Sequence, residues 1–142
     1  MTKTTPADSK KMVHVAVGIL QDTNGKILLA KRASHQHQGD LWEFPGGKVE
    51  KNETAFDALV REFIEEVDVK ITQATPFQQV EHDYGDKRVL LDVWLSQSFE
   101  GVARGKEAQP IQWVSISELD NYPFPEANQA IVQALQLQLS HL

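Results

Sequence analysis

The 142-residue chain contains no cysteine, which removes disulfides, thiol catalysis and cysteine-based zinc sites together and fits a reducing compartment. It also has no run of about 18 apolar residues, so nothing in it reads as a membrane span. The opening stretch, residues 1–11, lacks the apolar stretch of a secretion signal. The expectation is a flexible polar tail over 1–11 ahead of one domain over 12–142, placed in the cytoplasm. Internal repeats and low-complexity segments are absent. Positive charge is scarce too: 14 Lys and Arg face 20 Asp and Glu, for a net charge of -6. That balance excludes a broad basic face for nucleic acid. If the ligand is a small polyanion, cations must be brought to it, either as a few placed Lys and Arg or as bound metal.

With 41% hydrophobic residues, the chain has enough apolar mass for a real core. Val13, Val15 and Val17 alternate within an apolar run to Leu20, which predicts a strand. Asp22 to Gly25 reads as a turn, its Asn24-Gly25 pair suited to a tight hairpin, and Ile27 to Ala30 as the returning strand. Ala33 to Asp40 reads as a polar loop. Thr54 to Val67 is the clearest helix, with Thr54 and Asp57 spaced like a capping box. Phe56, Leu59, Val60, Phe63 and Val67 form its apolar stripe. Two strands are expected near Phe77 to His82 and Val89 to Ser96, joined at Gly85-Asp86, and a short one at Ile111 to Val114. A helical turn is expected at Ser117 to Leu119. Ile131, Leu135, Leu139 and Leu142 mark a C-terminal amphipathic helix beginning near Pro125. Interleaved strands and helices give a mixed α/β class.

The unusual feature lies opposite the apolar stripe. Glu62, Glu65 and Glu66 fall within about 100° of helix circumference. Like charges at these spacings each cost about 0.2–0.5 kcal/mol. No lysine stands one turn away, and the helix C-terminus disfavours negative charge. A solvated acidic face is the commoner meaning of such a cluster. Just upstream, however, Phe44-Pro45-Gly46-Gly47-Lys48 forms a diglycine loop where backbone can approach a ligand. Hard oxygen donors of this kind suit Mg²⁺ or Mn²⁺ together with phosphate.

Gly47, Glu53, Arg61-Glu62-Phe63, Glu65-Glu66 and Val69 stand at the spacing of the Nudix box, and the chain resembles that family over nearly its whole length from about Val13. The family usually has Gly at position 68, where this chain has Asp68. A left-handed helix cap there costs Asp about 1–2 kcal/mol. The resemblance implies a Nudix-type α/β/α sandwich with a mixed β-sheet, a catalytic helix over 54–67 and the C-terminal amphipathic helix. It is strongest to the MutT branch, and so implies hydrolysis of a nucleoside triphosphate such as 8-oxo-dGTP to the monophosphate and pyrophosphate, clearing oxidised nucleotides from the pool. It also implies a Mg²⁺ cofactor, with Mn²⁺ as substitute, held by Gly46, Glu62, Glu65, Glu66 and Glu107. Glu62 is expected as general base, with Glu107 as the other candidate and Glu53 with Arg61 as a supporting pair. Arg32, His37, Glu43, Phe44, Pro45, Gly46, Lys48, Lys87 and Asn128 are implied around the nucleotide. The expected partner is a small nucleoside triphosphate, met by a monomer with no direct nucleic-acid or membrane contact.

Asn128 has chemistry of its own. An amide offers one donor group and one acceptor, matching the N7–H and O6 edge of 8-oxoguanine and mismatching ordinary guanine. Buried pairing of that kind discriminates by about 10⁴–10⁵. Asn128 placed merely in the first turn of the last helix is the plainer alternative. Arg32 and His37 could equally be surface residues. His35 and His37 lack a third ligand for a metal pair. Phe44 is expected in the pocket lining, while Trp42 and Tyr84 are as consistent with core packing. Two rival functions stand beside the first: a pyrophosphohydrolase for CTP or another pyrimidine nucleotide, and a non-catalytic binding module on the same fold. Asn128 counts against the former and the intact set of box glutamates against the latter.

Overall fold

The computed structural model describes residues 11–33 and 39–138. Among the described residues seven strands and two helices run in the order β1 (Lys11–Leu20), β2 (Ile27–Lys31), β3 (Trp42–Glu43), β4 (Gly46–Lys48), α1 (Ala55–Val67), β5 (Lys70–Asp83), β6 (Lys87–Glu100), β7 (Ile111–Val114) and α2 (Glu126–Gln138). A 3-10 turn, Ile116–Asn121, precedes α2. β1 begins at Lys11, one residue inside the expected tail. Leu139 and Leu142, expected on the last helix, lie outside the described residues. Among the described residues no helix is long and apolar enough to cross a membrane.

One sheet has the order β4-β1-β6-β5, with β1 and β6 parallel and the other pairs antiparallel; β3-β2-β7 form a second, antiparallel sheet. The paired strands β1 and β6 explain the long apolar runs, since strands covered on both faces show little polar alternation. On β1, Val17 and Ile19 join a core with Ala127, Ile131, Val132 and Leu135 of α2. The intervening Ala16 and Leu20 join another with Ala58, Leu59, Phe63 and Val67 of α1. The strand period of two therefore places one helix on each side, giving the expected α/β/α sandwich with a mixed sheet.

Two details differ from the sequence expectation. The Asp22 to Gly25 turn does not close a hairpin within one sheet: β1 and β2 enter different sheets, and the β-bridge beside the turn is the isolated pair Gln21 and Ile27. The Asp22 carboxylate accepts from the Asn24 and Lys26 amides, at 2.9 and 2.8 Å, and this side chain shapes the turn. β5 is much longer than expected, because Pro76 sits in an edge strand whose register shifts between Pro76 and Gln78. The expected α1 cap is present, Thr54 Oγ1 accepting from Asp57 N at 3.0 Å, and α1 ends on left-handed Asp68 at φ 63°.

α1 lies close on β1 because Gly18 has no side chain. A methyl there would strike the Phe63 ring and stand 2.9 Å from Leu59 Cδ1. Gly18→Ala is expected to destabilise the protein by about 1–3 kcal/mol in urea denaturation, the cost of overpacking a filled core.

Candidate active site

A cleft of about 830 Å³ opens on the α2 side of the mixed sheet. Its floor is Val13, Val15 and Val17 of β1 with Val89 and Leu91 of β6. Val13 and Val15 are half-buried there, whereas Val17, Val89 and Leu91 also belong to the core shared with α2. Arg32, Glu43, Phe44, Gly46 and Lys48 form one wall. The β5–β6 turn adds Tyr84, Asp86 and Lys87, and the start of α2 adds Pro125, Ala127 and Asn128. Glu66, Glu107 and Gln109 complete the rim. An apolar floor with cations and carboxylates at its edge suits a flat ring attached to a polyanion.

α1 reaches the cleft through the diglycine strand. A methyl on Gly47 would overlap the Glu62 carboxylate, and one on Gly46 would meet the Ala16 carbonyl oxygen. The two glycines therefore let the helix carboxylates and the β1 backbone pack directly against β4. Arg61 then binds this loop to the helix. Its Nε and Nη2 grip both Glu53 oxygens at 2.7 and 3.0 Å, Nη2 reaches the Lys48 carbonyl at 3.0 Å, and Nη1 donates to Glu62 Oε2 at 2.8 Å. The expected pairing of Glu53 with Arg61 is present. The hydrogen bonds of Arg61 and of the Glu50 amide hold the Glu53 carboxyl down at about 2. The acidic ridge has no lysine one turn away, and it is relieved instead by Arg61, on the ridge's own helix, which contacts Glu62 and lies 3.5 Å from Glu65.

The acidic groups diverge. Glu65 points outward, its side chain 55% exposed beside Arg61, into a shallow groove on the far face of α1. Glu66 turns into the cleft, where burial pushes its carboxyl up to about 10, with contributions from a hydrogen bond to Glu62 and the charges of Glu62, Glu43 and Glu107. Burial likewise raises Glu43, against the opposing pull of Arg32, whose Nη1 lies 2.6 Å from Glu43 Oε1. Among the described residues no three acidic or imidazole side chains stand close enough to chelate an ion alone.

Most residues singled out from the sequence meet at this cleft: Arg32, Glu43, Phe44, Gly46, Lys48, Lys87, Glu107, Glu66 and Asn128 line it. Phe44 is almost fully buried and stacks on Phe124 at 5.4 Å. The Asn128 side-chain amide has no hydrogen-bond partner among the described residues. Glu62, Glu53 and Arg61 stand behind the wall, Pro45 is buried beneath it, and His37 lies outside the described residues. Of the two aromatics left open, Tyr84 lines the cleft and Trp42 packs edge-on against Tyr122. The valine floor and Gln109 were not anticipated. The alternation of Val13, Val15 and Val17 was visible, but which face stays uncovered depends on where α2 ends.

A sequence model described as NUDIX domain matches residues 16–134. The chain is 37% identical over 126 residues to an 8-oxo-dGTP diphosphatase of Escherichia coli K12, covering 89% of this chain and 98% of that protein. It is 35% identical over 124 residues to a CTP pyrophosphohydrolase of the same organism, covering 87% and 91%. A solved MutT structure, from a study of Aliivibrio salmonicida and Vibrio cholerae, superposes with a TM-score of 0.82 at 38% identity, covering 91% of this chain and all of that one.

The raised Glu66 carboxyl links stability to pH. The folded protein keeps this proton up to about 10, whereas an ordinary carboxyl releases it near 4.5. Its contribution is therefore complete below the lower value and is lost as pH rises towards the upper one. In chelator, the urea stability of the parent protein is expected to fall more steeply from pH 5 to pH 9 than that of Glu66→Gln, which carries no such proton. Parallel pH profiles would show that Glu66 is not crowded in this way.

Proposed function

The chain belongs to the Nudix domain family, and from that premise we propose that it is a cation-dependent nucleoside triphosphate pyrophosphohydrolase acting on 8-oxo-dGTP. The products would be 8-oxo-dGMP and pyrophosphate, and the setting a cytoplasmic monomer that clears oxidised guanine nucleotides. The observation that carries the reading is the joint occupancy of one cleft by a buried acidic group, Lys and Arg side chains, and the unpartnered Asn128 amide.

The donor set fits a hard divalent ion. Glu66 is a buried carboxyl pressed by three other carboxylates, and positive charge there would restore its ionised form. Mg²⁺ is commonly held through one or two carboxylates, with waters and substrate phosphates filling the remaining positions, so three converging side chains are not required. Glu62 and Glu66 would hold it with the Gly46 carbonyl, Glu107 joining from the rim, while Glu65 points to the far face of α1 and stands apart from this set. Bound there, a divalent ion supplies charge neutralisation for the triphosphate and favours ionisation of the attacking water.

The chain's own groups divide the remaining work. Lys48, Lys87 and Arg32 offer positive charge to phosphate oxygens, and the valine floor with Phe44 excludes water beneath the base. Asn128 donates to O6 and accepts from N7–H of the oxidised base. Arg61 donates to Glu62 Oε2 and holds that carboxyl beside Glu66, the fixed orientation a general base requires. Glu107 is a second candidate for that proton, because its side chain reaches the cleft surface and Glu62 stands behind the wall. Preference for a pyrimidine triphosphate is the second reading of the substrate, favoured by the likeness to the CTP pyrophosphohydrolase.

A panel of oxidised and normal triphosphates with Mg²⁺, read as pyrophosphate and monophosphate release, separates these readings. Glu62→Gln and Glu66→Gln are each expected to lower kcat by about 10²–10⁴ while remaining folded. Near-parental rates in both would remove the site assignment. Asn128→Ala is expected to bring kcat/KM for 8-oxo-dGTP and dGTP together. Fastest turnover of CTP by the parent would instead favour the pyrimidine reading.

A further inference from the structure

The segment between β6 and β7 carries Glu107 to the cleft, and its course is fixed against the end of α1. The last carbonyls of a helix have no partner within the helix. Here the Val67 carbonyl accepts from Arg104 N at 3.0 Å, the Ile64 carbonyl from Lys106 Nζ at 3.3 Å, and the Glu66 carbonyl from Lys106 N at 3.0 Å. The Glu66 carbonyl receives a second bond, from Gln109 Nε2 at 2.9 Å. The same amide accepts from the Glu107 backbone N–H through Oε1 at 2.8 Å.

Gln109 thus divides its donor and its acceptor between the backbones of two acidic residues whose side chains share the cleft. The turn is built closely around it. A methyl on Gly105 would strike the Gln109 carbonyl oxygen, Ala108 N donates to the Gly105 carbonyl at 3.1 Å, and Ala108 itself is left-handed at φ 64°. The Asp68 carboxylate also bridges the two segments, at 3.0 Å to Arg104 Nε and 3.9 Å to Lys106 Nζ. The closer of these pairs is exposed, 69% and 43%, so solvent screens it and it constrains position weakly.

We propose that Gln109 is a positioning residue that sets the reach of Glu107 relative to Glu66. It acts through two backbone bonds and makes the two carboxylates one acidic site. The proposal rests on the reading of Glu107 as part of the hydrolytic site. It assigns to Gln109 the fixed geometry that a mobile loop would lack.

The test uses Gln109→Met, which keeps the volume and removes both bonds, alongside Glu107→Ala, the double variant, and Asp68→Gly as a control. Two readouts are needed. The first is hydrogen exchange at the Glu107 amide in the nucleotide-free protein. Gln109→Met is expected to speed it by about tenfold while exchange in α1 stays parental, and Asp68→Gly is expected to leave it within about twofold. The second is hydrolysis of 8-oxo-dGTP with Mg²⁺. Gln109→Met is expected to lower kcat by about 10–100-fold with little change in KM, and the double variant to be no slower than Glu107→Ala alone. Unchanged exchange in Gln109→Met, or losses that multiply in the double variant, would overturn the proposal. A Glu107→Ala protein as fast as the parent would overturn the hydrolytic reading of Glu107 and the proposal with it.

Discussion

One buried carboxyl crowded by other carboxyls is the constraint around which the functional end of this fold is arranged. Glu66 is buried in the cleft beside Glu62, Glu43 and Glu107, and its proton is held to about 10 by that burial first and by these neighbours second. A chain selected for stability alone would place a neutral residue there. The neighbouring cations do not resolve the conflict. Arg32 faces Glu43, and Arg61 faces Glu53, Glu62 and Glu65, so Glu66 is left with negative neighbours. A positive charge arriving in the cleft converts these repulsions into attractions.

The fold serves this constraint from three directions. Gly47 allows β4 to pass under the Glu62 carboxylate and Gly46 allows it to lie against the β1 backbone, where any side chain would clash. Arg61 uses Nε and Nη2 to bind that strand and loop to α1, and Nη1 to hold Glu62 on α1 itself. At the other end of α1 the segment bearing Glu107 closes on the helix carbonyls. Several of these contacts join segments that are distant in sequence. The acidic groups therefore hold their places because several parts of the chain are fixed to one helix.

Much of this was legible in the sequence, and the reasons are local. α1 shows itself through its apolar stripe and the Thr54 cap, α2 through Ile131 and Leu135, and the box spacing from Gly47 to Val69 names the acidic ridge. Asp68 in a left-handed cap was readable for the same reason, since one backbone position governs it. Long-range features were not readable. Nothing in Asn24-Gly25 shows that its flanking strands enter different sheets. Nothing in Pro76 shows that β5 continues through it as a bulged edge. The outward turn of Glu65 follows from Arg61 choosing its partners in three dimensions. The role of Gln109 depends on a backbone path that returns to α1 after a gap of 43 residues in sequence.

The central claim is that the crowded carboxyls exist to hold a divalent cation. Titration calorimetry with Mg²⁺ or Mn²⁺, in the presence of a non-hydrolysable triphosphate analogue, addresses it most directly. Saturable ion uptake by the parent chain, greatly weakened when Glu66 alone is made glutamine, is the predicted result. Absence of ion uptake with and without the analogue, or equal uptake by the two proteins, would contradict it.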